Sequence, residues 1–78
     1  MANQYLKSTV LHVVDNQLKD NNPLITKTTY ERLRAMGYSE KQAKERIAAV
    51  LLEEMYDVLK NREQFNEERY TNKLNNLG

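Results

Sequence analysis

Seventy-eight residues make one domain (1–78), and a chain of this size buries only about 60% of the surface its unfolded form exposes. It has no cysteine, which excludes disulfide staples, thiol nucleophiles and cysteine-ligated zinc, and its one histidine leaves any self-contained zinc site dependent on carboxylates. Twelve basic residues face eleven acidic ones for a net charge of +1, split five to three up to Tyr38 and seven to eight beyond it, so the long-range pull that drives non-specific nucleic-acid binding is missing.

Three breaks divide the chain: Asn21-Asn22-Pro23, Gly37, and the stretch from Asn61 to Asn66. Between them the apolar spacing is helical and no segment alternates long enough for a strand. The first helix is expected over about residues 3–20, with Leu6, Val10, Val13, Val14 and Leu18 on one face. The second, 22–36, opens with Asn22 as cap and Pro23 at the first helical position, carries Ile25, Tyr30, Leu33 and Met36 as its stripe, and ends at Gly37 in the left-handed position. Ser39 and Gln42 form a capping box for the third and longest helix, 39–60. Its broad apolar arc (Ala43, Ile47, Val50, Leu51, Met55, Val58, Leu59) suits a central helix that the others surround. The fourth, 66–76, is capped by Asn66, with Phe65 in staple position to Tyr70 and Leu74 and Leu77 following. Its Asn-rich end is expected to fray. The predicted fold is an all-α, compact bundle of about four helices.

Two polar residues interrupt the apolar arcs. Gln17 lies between Val10 and Val13 in angle, and Glu54 lies between Ala43 and Ile47. A buried carboxylate without a partner is costly, so Glu54 is expected to meet a hydrogen-bonding group, such as Gln17 or an arginine, or else to serve a ligand. His12 falls almost opposite the first helix's apolar stripe, beside Tyr5, Thr9 and Asn16, which predicts an exposed imidazole. Exposed tyrosines at Tyr5 and Tyr56 would suit a contact with a partner on such a face.

The remaining charges interleave in sign, as in Glu40–Lys44, and suit a solvated surface. The second helix, glycine turn and third helix imitate a helix-turn-helix, but the start of the would-be reading helix (Ser39, Glu40, Lys41, Gln42, Glu45) is mixed in sign where phosphates want cations.

The segment LRAMGYSEKQAKERI, Leu33 to Ile47, resembles the first turn of a ubiquitin-associated domain, in which a Met-Gly-aromatic loop contacts ubiquitin; Met36, Gly37 and Tyr38 stand there. The likeness covers 15 residues, and the helix that follows is far longer than that family's second helix. Across nearly the whole chain, His12-Val13-Val14 with Gln17-Leu18, then Pro23, Arg32-Leu33, Gly37-Tyr38, Ala43, Ile47, Glu54 and Phe65 with Glu68-Arg69-Tyr70, the sequence resembles a small bacterial family of uncharacterised helical proteins. That resemblance implies a helical bundle and no particular activity. Members of the family often carry a histidine at the place of Glu45, sometimes with another at that of Lys41; with Glu and Lys there instead, the resemblance implies no metal or cofactor for this chain.

No nucleophile constellation or phosphate-binding loop is present, and no apolar run approaches the ~20 residues of a membrane span. The expectation is a non-catalytic cytoplasmic domain acting through contact with a protein partner or through self-association. The competing expectations are a small-ligand or metal-binding protein or enzyme using Glu54, Gln17 and His12, and a helix-turn-helix-like nucleic-acid binder.

Overall fold

Left-handed residues and side-chain caps set where the helices of this chain stop and start. The computed structural model describes residues 2–77, with side chains from residue 6 onward, and contains α1 (Ala2–Asp20), α2 (Leu24–Ala35), α3 (Glu40–Asn61) and α4 (Glu67–Asn75). Gly37, at φ 103°, ends α2 as foreseen: its N–H reaches the Arg34 carbonyl, and that of Tyr38 reaches Leu33, closing a Schellman turn. Asn21 (φ 53°) and Arg62 (φ 52°) do the same for α1 and α3, with Asn22 N–H donating to Gln17 and Glu63 N–H to Val58. The Ser39–Gln42 capping box has both of its bonds, at 3.1 and 3.0 Å. Asn66 Oδ1 accepts from Arg69 N–H at 2.9 Å, and the Phe65 ring packs edge-on against Tyr70 at 5.4 Å.

One expected cap is replaced. Asn22 does not cap α2; the helix begins one residue later, and the Asn22 backbone N–H donates to Gln17 in closing α1. Pro23, after a cis peptide bond, stands at the N-cap instead, with no side-chain cap bond.

The fold is an all-α bundle with α3 at its centre. At ~1.5 Å per residue the 22 residues of α3 rise about 33 Å, nearly the molecule's longest dimension of 36 Å. Helices α1, α2 and α4 all pack on it, and α2 also touches both α1 and α4. The core joins Val10 and Val14 of α1, Leu33 of α2, Ala43, Ile47, Val50 and Leu51 of α3, and Tyr70 and Leu74 of α4.

Three residues assigned to apolar stripes are exposed instead: Val13, Met36 and Leu59, the last at 74%. Met36 sits at the C-cap, where the chain is already leaving the helix. Val13 and Leu59 lie at the edges of their arcs, beyond the reach of a neighbouring helix. Leu11 packs against the core on α1, and Thr26 and Thr29 fill buried positions on α2. The end of α4 is held rather than frayed: Arg32 of α2 donates to the carbonyls of Leu74 (2.8 Å) and Leu77 (2.6 Å).

Candidate functional site

Glu54 is completely buried, and its side chain faces α4. Arg69 grips it in a two-pronged pair, Nε to Oε1 and Nη2 to Oε2, both 2.7 Å. The backbone N–H of Asn66 donates to Oε2 at 3.2 Å, and Lys73 Nζ stands 3.8 Å from Oε1. Glu63 shares the Arg69 guanidinium, while Lys73 also pairs with Asp57 at 2.9 Å and Glu53 at 3.1 Å. The Arg69 hydrogen bonds hold the Glu54 carboxyl below the ordinary carboxylate range against burial, which pushes it up, and the Asn66 amide adds to the lowering. Lys73 lowers Asp57 in the same manner. Both Glu54 oxygens are thus engaged from within the chain, in a junction that fastens α4 and its cap onto α3.

Gln17 belongs to a different cluster. Its Oε1 accepts from the Thr26 hydroxyl at 2.7 Å and the Tyr70 hydroxyl at 3.1 Å, and those two hydroxyls lie 3.4 Å apart. This polar knot ties α1, α2 and α4 together inside the bundle. Burial pushes the Tyr70 phenol above its ordinary range, partly offset by the Thr26 hydroxyl.

His12 is exposed on α1 and takes part in neither cluster. The Tyr5 side chain lies outside the described residues. Tyr56 is exposed at 57%, as expected. The sequence-derived polar set therefore does not converge: Glu54 and Gln17 are each bound in separate structural clusters, and His12 stands apart. Among the described residues no buried side-chain polar atom lacks a hydrogen-bond partner, and no three His, Cys, Asp or Glu side chains are grouped to hold a metal ion.

An open concavity lies on the other side of α3. Leu52 and Glu54 are two residues apart, about 200° around a helix, so a side chain that faces away from the Glu54 junction is the rule at Leu52. There Leu6 and Val10 of α1 and Ala49, Leu52 and Tyr56 of α3 line an open apolar groove of about 470 Å³. The Lys7–Glu45 ion pair crosses beside it at 2.8 Å. A second hollow of about 360 Å³ continues between α1 and the start of α3, where Lys44 bridges Asp15 (2.8 Å) and Glu40 (3.3 Å). Hydrogen bonding to Asp15 raises the Lys44 ammonium above its ordinary range, and hydrogen bonding from Lys7 lowers the Glu45 carboxyl.

Sequence reasoning missed this face although it left a signal. Ala49, Leu52, Tyr56 and Leu59 recur at spacings of three, four and three, the interval of a helix-packing seam. No described helix is long and apolar enough to cross a membrane. No family model, curated protein or solved structure matches the chain.

Proposed function

We propose that the chain is a non-catalytic, cytoplasmic protein-interaction domain that meets its partner through the outer face of α3 and the adjoining edge of α1. The observation that carries this reading is the open groove itself, bordered by Tyr56 at 57% exposure and continued by Leu59 at 74%. Contiguous exposed apolar surface of this kind is costly to leave in water and marks contact sites, and tyrosine is enriched at them. The ligand-binding alternative draws no support from the polar residues, since those of Gln17 and Glu54 are consumed in holding the helices together. The nucleic-acid alternative meets a start of α3 that carries Glu40 and Glu45 among its cations and whose Lys44 is already paired with Glu40 and Asp15.

The test is site-specific photo-crosslinking in the native host, with the reactive group replacing Tyr56. A discrete adduct that disappears when Leu52→Lys is added is the expected result. A correctly folded protein giving no adduct from position 56 overturns the reading.

A further inference from the structure

We infer that α4 is a strap that lifts off α2 and α3 as one unit while α1–α3 stay folded, and that the ion pairs of Arg69 and Lys73 are its latch. The strap lies away from the groove of the interaction reading, on the other side of α3, and does not depend on it.

Three helices close on one another without α4. Each of α1, α2 and α3 packs on the other two, whereas α4 lies against α2 and α3 and reaches α1 through the Tyr70 hydroxyl. Ten apolar side chains are buried among the described residues; eight of them, from Val10 to Leu51, belong to α1–α3, and α4 adds Tyr70 and Leu74. When α4 lifts, the three-helix remainder keeps most of its apolar burial and all of its mutual helix packing.

The seat under α4 differs in kind from that core. Glu54 of α3, Thr26 of α2 and Gln17 of α1 all turn polar atoms to α4 side chains. An apolar seat laid bare would meet water unfavourably, while these groups exchange their α4 partners for water. Gln17 and Glu54, the two residues that break the apolar arcs of their helices, thereby have a common reason to be polar. Both stand on a surface that is intermittently wet.

Length and connection let α4 move as one piece. A helix of nine residues loses its own hydrogen bonds once it leaves its seat. Residues 62–66 are exposed and give it room to swing. Against that, Arg69 holds Glu54 and Glu63, and Lys73 holds Asp57 and Glu53. The two cations stand four residues apart on one face, so both sets of pairs break when the helix lifts.

Native-state hydrogen exchange of the full chain in about 0 to 2 M urea tests the inference. The amides of residues 70–75 are expected to share one opening, about 30-fold or more frequent than that of Ile47 and Leu51 and less sensitive to urea, because less surface is exposed. Val10→Ala supplies the decisive comparison, with Ala48→Gly as a second variant should the first fail to fold; both sit in the three-helix core. Either one weakens α1–α3 whether α4 is docked or not, so it should speed exchange at Ile47 and Leu51 about 10-fold and leave residues 70–75 unchanged. Lys73→Met should speed residues 70–75 about threefold or more. If residues 70–75 open together with Ile47 and Leu51, and the core variants accelerate all of them alike, the bundle unfolds all at once and the strap is overturned. Rates that scatter along 70–75 with no urea dependence show fraying of a helix end and overturn it too. Unchanged exchange in Lys73→Met removes the latch.

Discussion

At Gly37 the backbone φ of 103° is one that side chains resist, while an added Cβ would meet nothing within 4 Å. The cost of Gly37→Ala is therefore conformational, about 1 kcal/mol in urea unfolding, and Gly37→Asn costs less because asparagine tolerates the left-handed region. Arg62 presents the converse case, a residue with a Cβ held at φ 52° and exposed; Arg62→Gly is expected to raise stability by about 0.5 to 1 kcal/mol in the same assay. Glu54→Gln leaves Arg69 without its buried counter-charge and costs about 2 kcal/mol. The pH dependence has a definite sign. Because Glu54 is held below the ordinary carboxylate range, its ionised form favours the folded state at neutral pH, and that contribution is lost as pH falls from about 4.5 through the depressed folded value. Urea midpoints measured from about pH 6 to pH 3 should fall less steeply in Glu54→Gln than in the wild type.

Each helix draws its boundaries from local chemistry, and that is why the elements were legible in the sequence. The Ser39–Gln42 box, the Asn66 cap and the Gly37 stop act within four residues of themselves, so spacing alone reveals them. Asn22 is no cap because α2 starts one residue later than the Asn-Pro spacing suggests, which puts Pro23 at the N-cap position. An arginine was among the partners expected for Glu54, but which one was not legible, nor were the partners of Gln17, since these depend on how helices face one another: Glu54 meets Arg69 across 15 residues, and Gln17 meets Tyr70 across 53. The groove was hidden for another reason. On a wheel Leu59 falls at the edge of the core arc and reads as part of it, while Tyr56 reads as exposed and Ala49 and Leu52 belong to no stripe. At this scale Arg32→Met is expected to release the Leu74 and Leu77 carbonyls, lowering stability by about 1 to 2 kcal/mol. Hydrogen exchange should accelerate at the amides of residues 72–76 and stay unchanged in the middle of α3.

The junctions at the two ends of α4 bear on how the fold is completed. The Glu54 carboxylate sits at its positive end and the Arg32 guanidinium at its negative end, each contributed by a different helix. Nine residues are too few to stay helical alone in water, so α4 is templated by groups it does not own. Synthesis delivers this segment after both of its anchors, and the growing chain therefore carries an unfinished core, with the places of Tyr70 and Leu74 unfilled, until residues beyond 74 have left the ribosome.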